Sequence, residues 1–519
     1  MAALGAAGKA NSQLSQIAVS AKSYGALGNG VANDTAAIQA AINSGAGHVL
    51  IPDGTYLIQA VSTSGVNHQP NGGLSLPSNF KLELAPGAIL QAIGNSSVTS
   101  SVIRITEVDN VIVTGGKIIG EIATHTGSTG EWGFGICLMG ASNVTIEDIS
   151  ISACWGDGII LIPGIADTTK PCTNIKLKGV TSDANRRQGM SVCHADGVYA
   201  TKCDFTNTDG TAPQNGVDIE PEATWYAKNI HLYGCNCSGN TGYGIATNGN
   251  LGAVSQCSVI ACQVSDNGVC GIQLYKTTNS ILSNNIVEGH TNFAGIKLVI
   301  VSDTTVAGNV CKSNETGITL VAGAVKNNIS GNLCSANSLY GIFLNAATDN
   351  VVNNNVCNDN ISMGISLYGA LNNTINGNNC NGNLCGIKLL SASDYNQISN
   401  NYAKNNLESG ILLATGNHNL IIGNTAMGNS QKTNATYNNI DLYASSYNTI
   451  QNNIVRAGLD ANKAFVGINI TNVASISNLI SNNDCYLGGT AAGIYDAGAT
   501  TLMGAGNRNK DGSFSTTEN

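Results

Sequence analysis

A glycine followed by an aliphatic residue recurs along most of the chain. Gly135-Ile136, Gly158-Ile159, Gly189-Met190, Gly216-Val217, Gly244-Ile245 and Gly271-Ile272 are succeeded by Gly295-Ile296, Gly317-Ile318, Gly341-Ile342, Gly364-Ile365, Gly386-Ile387 and Gly410-Ile411, then Gly467-Ile468 and Gly493-Ile494. Asn439-Ile440 fills the one missing place, and the spacing is roughly 22 to 31 residues, the signature of a repeat architecture. Apolar and polar residues alternate around each pair. In NNTINGNNCNGNLCGIKLL, Ile375, Ile387 and Leu389 alternate with polar neighbours, the period of a half-buried strand. Asn and Gly fall between the strands, where left-handed backbone is cheapest. About 22 residues are too few for a strand-helix-strand unit but suit three strands and three turns, and the leucine-rich signature is absent. The pattern predicts an all-β parallel β-helix. Its repeats before Gly271 are longer, and extra residues in a solenoid become loops on one face. Function is therefore expected between about residues 121 and 275, with the Asn-rich turns of roughly 280 to 430 mainly structural.

The N-terminal stretch departs from this repeat. Asn33-Asp34-Thr35 reads as a helix-capping cluster, Ala36 to Ile42 as a short helix, and Val49 to Ile51 and Tyr56 to Ile58 as strands around a Pro-Asp-Gly turn. A helix at the end of a solenoid protects its core. The residues Tyr24-Gly25-Ala26-Leu27-Gly28-Asn29-Gly30, Asp34-Thr35-Ala36-Ala37-Ile38-Gln39-Ala40-Ala41 and Pro52-Asp53-Gly54-Thr55-Tyr56 closely resemble the opening of the pectate-lyase-like superfamily. That group includes bacteriophage tailspike depolymerases, family 28-related glycosidases and C5-epimerases; the epimerase motif Asp-Pro-His is absent here. The resemblance implies a single-stranded right-handed parallel β-helix with a short N-terminal capping helix. It leaves the reaction open, because hydrolases, lyases, epimerases and binders share the phrase. The expected organisation is a flexible segment 1–20, a cap with first turns at 21–95, the β-helix at 96–495, and a C-terminal tail or cap at 496–519.

Composition narrows the partners. Charged residues make up 11% of the chain and the formal net charge is −9, which argues against nucleic acid or an anionic membrane as the main partner. No apolar run reaches bilayer length, and residues 1–20 carry no visible secretory signal. Cys311, Cys334, Cys357 and Cys380 recur every 23 residues in one local phrase. One phase means one stacked column, so these thiols are expected to be free and buried. That points to folding in a reducing compartment. His and Cys show no zinc spacing, and neither a phosphate loop nor a dinucleotide fingerprint is present. No cofactor or metal is expected.

Two stretches stand out from the amide-rich background: Asn185-Arg186-Arg187-Gln188-Gly189 and Gly216-Val217-Asp218-Ile219-Glu220-Pro221-Glu222. With Val217 and Ile219 pointing inward, Asp218 and Glu220 project outward, their Cα atoms roughly 6.5 to 7 Å apart. Repulsion raises one pKa and leaves an acid beside an ionised base or nucleophile, the pair that glycosidases use. The bland alternative is solvated surface acids balanced by Arg186 and Arg187. Those arginines lie one turn earlier and serve equally as forks for sugar groups. Asp157, another turn back, is a third candidate carboxylate, and His194 and Glu222 are candidate substrate contacts. Trp132 and Trp155 share a phase on neighbouring turns, and Trp225 and Tyr226 follow the acidic strand. Exposed aromatic faces stack on sugar rings; packing under loops is their ordinary alternative.

The leading expectation is an endo-acting polysaccharide depolymerase of glycoside hydrolase type. A lyase acting by β-elimination on a uronate-containing glycan, and a non-catalytic glycan-binding adhesin, are the alternatives. The resemblance to tailspikes implies a homotrimer, folded in a bacterial cytoplasm and displayed on a virion; a secreted or cell-surface protein is the other placement.

Overall fold

The glycine of each Gly-aliphatic pair is there because successive rungs touch. A Cβ on Gly216 would lie 2.6 Å from the Gly244 carbonyl oxygen, and one on Gly341 would lie 2.6 Å from that of Gly364. The aliphatic residue that follows points inward. Ile103, Ile136, Ile159, Met190, Val217 and Ile245 pair in register through parallel strands and are fully buried. Each such side chain contributes roughly 1.5 to 3 kcal/mol by leaving water. The computed structural model describes residues 18–61, 70, 72–321 and 323–515. It is an all-β parallel solenoid of about 18 turns with 3% helix, and its contacts divide into two units, Met1–Val269 and Cys270–Asn519.

In the first unit each turn visits three sheets. Trp132–Met139 leads to Ser142–Glu147, then to Ser150–Ser152, and the chain returns to the first sheet at Asp157–Ile162. Parallel pairing then stacks Asp157–Ile162 beneath Gln188–Val192 and Asn215–Ile219. The helix spans Thr35–Ile42 and buries Ile38, Ala41 and Ile42. Asp34 precedes it but makes no side-chain cap. Its carboxylate instead accepts from the backbone N–H groups of Leu27 and Gly28, and Asn33 accepts from the Thr35 N–H. Within the segment expected to be flexible, Val19–Ser20 is a strand paired with Val49 and Leu50; residues 1–17 of that segment lie outside the described residues, as do 516–519 of the expected tail.

The second unit repeats the cycle more regularly, and its asparagines explain why. Asn332, Asn355, Asn378 and Asn401 are buried. Each donates its amide to the Oδ1 of the next, at 2.9 to 3.0 Å, and each also donates to a backbone carbonyl. Only a side chain with both donor and acceptor can propagate such a ladder. Parallel amide ladders run through Asn327, Asn350 and Asn373 and through Asn337, Asn360 and Asn383. Cys311 pairs in register with Cys334, and Cys357 and Cys380 continue the phase. All sixteen cysteines of the chain are free and buried.

Candidate functional site

Two runs on the first unit break the alternation of the strands. In Gly135-Ile136-Cys137-Leu138-Met139 and Gly158-Ile159-Ile160-Leu161-Ile162 the outward positions are apolar too, as in strands covered on both faces. Outside the solenoid, Phe134, Cys137, Met139, Ile160, Ile162 and Cys193 form a buried cluster, and Trp132 and Trp225 pack against it. One rung further the outward column turns polar. Ile160 is in register with Ser191, and Ser191 with Asp218.

Arg187 organises the charges beside this platform. Its Nη1 lies 3.2 Å from Asp157 Oδ2, its Nη2 2.9 Å from Glu220 Oε1, and its Nε 3.4 Å from Glu131 Oε2. Burial works against the guanidinium's charge, but Asp157 and Glu220 more than offset it and hold its pKa above the ordinary value. Asp157 is fully buried and also accepts from the Ser191 hydroxyl at 2.8 Å. Burial pushes its pKa up to about 6, with Arg187 and Ser191 pulling the other way.

Asp218 is held differently. Its Oδ2 accepts from Gln188 Nε2 at 2.8 Å and from Asn215 Nδ2 at 2.9 Å. Burial, reinforced by the charge of Glu220, raises its pKa well above the usual carboxylate range. Asp218 therefore keeps its proton at pH values where an exposed aspartate has lost it. Glu220 projects from the same edge two residues on and is partly exposed.

The platform and the charges meet in a pocket of about 180 Å³. Trp132, Ile160, Ile162, Cys193, Trp225 and Leu251 line its apolar side; Arg187, Glu220, Pro221, Glu222 and Asn248 line the rest. Among the residues singled out from the sequence, the structure thus gathers Arg187, Glu220, Glu222, Trp132 and Trp225 around one cavity; Asp157 and Asp218 do not line it, Asp157 pairing with Arg187 and Asp218 bonding to Gln188 and Asn215.

Four others lie elsewhere. Arg186 donates to the carbonyl oxygens of Gly130 and Trp155 and packs 3.8 Å from the Trp155 ring. Trp155 shares a phase with Trp132 but stacks on His125, ring centroids 3.7 Å apart. His194 is buried, accepts from the Tyr226 N–H through Nδ1, and places Nε2 3.2 Å from the Thr169 carbonyl oxygen. Both its nitrogens lie within hydrogen-bond distance of the backbone. Tyr226 packs edge-on against His194.

The sequence reading missed Glu131, Ser191 and Asn215, which with Gln188 hold the charged groups, and Ile160, Ile162 and Cys193 of the platform and Leu251 of the pocket lining. The doubled apolar runs were the available signal for the platform; nothing local marks Glu131. Among the described residues, no three His, Cys, Asp or Glu side chains converge as a metal donor set, and no helix is long and apolar enough to cross a membrane.

The family model described as "Right handed beta helix region" matches residues 91–224 and 250–402, together more than half of the chain. The chain belongs to the right-handed β-helix family. Two further models match parts of this β-helix. "Rhamnogalacturonase A/epimerase, pectate lyase-like" matches residues 18–69, and "Periplasmic copper-binding protein (NosD)" matches residues 173–323. Among curated relatives, the Bacillus subtilis (strain 168) protein YclG is 31% identical over 54% of this chain and 52% of its own. The preneck appendage protein of Bacillus phage PZA is 27% identical over 40% of this chain and 25% of its own. The chain thus spans about half the length of the first relative and a quarter of the second. A solved structure, the N-terminal fragment of bacteriophage phi29 gene product 12, matches at 14% identity over 100% of this chain and 99% of that one, with a TM-score of 0.44.

Proposed function

We propose that this β-helix is an endo-acting glycoside hydrolase that cuts a bacterial surface polysaccharide and is carried on a phage particle. The observation that carries the reading is a buried Asp218, its pKa raised well above the usual carboxylate range, two residues before a Glu220 that pairs with Arg187 and lines a pocket with two tryptophans. Asp218 donates its proton to the glycosidic oxygen as the bond to the anomeric carbon breaks. Glu220, ion-paired with Arg187, activates the water that completes hydrolysis or attacks the anomeric carbon itself. Asp157 is fully buried; it is a positioning residue that orients the Arg187 fork and not a partner in the chemistry. The phage assignment and the homotrimer draw on the preneck appendage relative and on the tailspike-like N-terminal phrase; light scattering reads the assembly.

The lyase alternative loses ground on charge. β-Elimination requires a cation to neutralise a uronate carboxylate. Arg187 lies within ion-pair distance of three carboxylates, and Arg186 is turned away. A binding-only reading has one observation in its favour, the 3% exposure of Asp218, which leaves little of the carboxyl open to a substrate.

One experiment separates these readings. Reducing ends released from a panel of bacterial capsules and O-antigens are measured for wild type, Asp218→Asn and Glu220→Gln. Hydrolysis predicts a fall of about 100- to 10,000-fold in both variants, with no unsaturated uronate in the product. Turnover unchanged in both variants removes the assignment; binding without turnover in the wild type makes the protein an adhesin.

A further inference from the structure

The pocket carries more information than a reaction class, and the inference drawn here rests on the carbohydrate reading above. Its floor is built from outward-facing residues of the solenoid. Ile160 and Ile162 occupy two outward positions of one strand, Cys193 follows on the next rung, and Trp132 and Trp225 close over them. Leu251, 66% exposed, stands at the mouth. Ile160 and Ile162 are 3% and 2% exposed; they pack under the tryptophans and meet the pocket only along its lining, so the apolar surface offered to a ligand is that of Trp132, Trp225 and Leu251 with the edges of the two isoleucines.

The charges point the same way. Glu220 and Glu222 line the pocket with Asn248, and the single guanidinium there already faces Glu131, Asp157 and Glu220. The field in the pocket is negative. An anionic sugar entering it meets like charge and a desolvation cost without a free counter-ion. Volume sets the last limit. About 180 Å³ falls below the roughly 300 to 1,000 Å³ of pockets that enclose drug-sized ligands, so it suits one ring and not a longer segment.

We propose that the pocket is a subsite for one uncharged pyranose bearing a methyl group, either the acetyl methyl of an N-acetylated sugar or the C6 methyl of a 6-deoxy sugar. The methyl group sits against Leu251 and the edges of Ile160 and Ile162 that reach the pocket, the apolar ring face stacks on tryptophan, and the hydroxyls donate to Glu220 and Glu222. Uronic acids are excluded from this position by charge, and glucose binds without the methyl contact.

Tryptophan fluorescence tests this directly, because two of the three tryptophans of the chain line the pocket while Trp155 lies apart. The Asp218→Asn protein is titrated with the methyl glycosides of N-acetylglucosamine, fucose, glucose and glucuronic acid. The first two arms separate the two sources of the methyl group. At least one of them is expected to bind about fourfold or more tighter than methyl glucoside, the factor that one buried methyl supplies, and glucuronide weakest of all. Leu251→Ser, a change at an exposed rim position, is expected to narrow that preference. Equal affinity across the four probes, tightest binding of the glucuronide, or no binding by any probe overturns the proposal. These outcomes are independent of the hydrolase reading, which stands or falls on reducing ends released by the wild type.

Discussion

Arg187 Nη2 lies 2.9 Å from Glu220 Oε1, one rung along the solenoid, while Nη1 of the same guanidinium reaches 3.2 Å back to Asp157 Oδ2. One side chain thus spans three successive turns, and its planar fork is what allows two carboxylates to be held at once. Removing it leaves buried negative charge without a partner. Arg187→Ala is expected to lose about 3 to 5 kcal/mol of stability, read as a lowered urea midpoint. Arg187→Lys, a point charge without the fork, is expected to recover only part of this. A variant as stable as the wild type would show that these pairs contribute nothing.

Asp157 makes stability depend on pH in a defined direction. Its folded pKa of about 6 stands above the ordinary unfolded value of about 3.9, so between these pH values the folded state binds more protons than the unfolded one. The contribution is fully present below about pH 4 and is lost as pH rises through 6, with a slope of at most about 1.4 kcal/mol per pH unit. Urea midpoints at pH 4, 5, 6 and 7 are expected to show this fall in the wild type relative to Asp157→Asn. Parallel profiles for the two proteins would contradict it.

The amide ladders predict an asymmetry between two substitutions at one site. Asn378 donates to Asn401 Oδ1 and to the Val352 carbonyl, and accepts from Asn355. Asn378→Ala leaves these groups unpaired, at about 1 to 3 kcal/mol each. In Asn378→Asp an oxygen replaces the donor and faces two acceptors. Protonation restores one donor, so the aspartate variant is expected to be markedly less stable at pH 8 than at pH 4.5, while the alanine variant shows no such change. Melting temperatures at the two pH values decide it.

Sixteen buried free thiols set a chemical expectation. A thiol-reactive dye is expected to label none of them rapidly in the native protein and all of them after denaturation, and reductant is expected to leave the melting temperature unchanged. The hydrogen bond with Cys334, together with burial, pushes the Cys311 thiol above its ordinary pKa, and burial with hydrogen bonds to Cys334 and Cys380 does the same for Cys357, which further suppresses attack. Rapid native labelling, or a melting temperature lowered by reductant, would refute the column of free thiols.

What could be read in advance follows from how far apart the interacting residues lie in the chain. The inner column Ile159, Met190, Val217 was legible because one short phrase repeats it on every turn. Asp218 and Glu220 were legible as charge density on a strand whose inward residues were already known. Arg186 and Arg187 were not separable: they precede their strand, so no alternation dictates which one faces the acids. Glu131 stands more than fifty residues before Arg187, and only the stacking of rungs brings them together. Asp218 also has a quiet counterpart. Asp441 accepts from Asn438 three residues earlier, as Asp218 does from Asn215, and burial raises its pKa too. The short phrase therefore specifies a buried acid, and the arginine and the tryptophans, invisible to it, distinguish the candidate site.

Because Asn332, Asn355, Asn378 and Asn401 are spaced by one constant interval and make the same bonds, any of these rungs can be lost or duplicated without orphaning a single amide. Between Asn309 and Asn424 the second unit is a ruler that can be cut or extended in whole divisions of 23 residues. Changes of length that respect that division preserve the fold, and those that ignore it strand three buried asparagines at once.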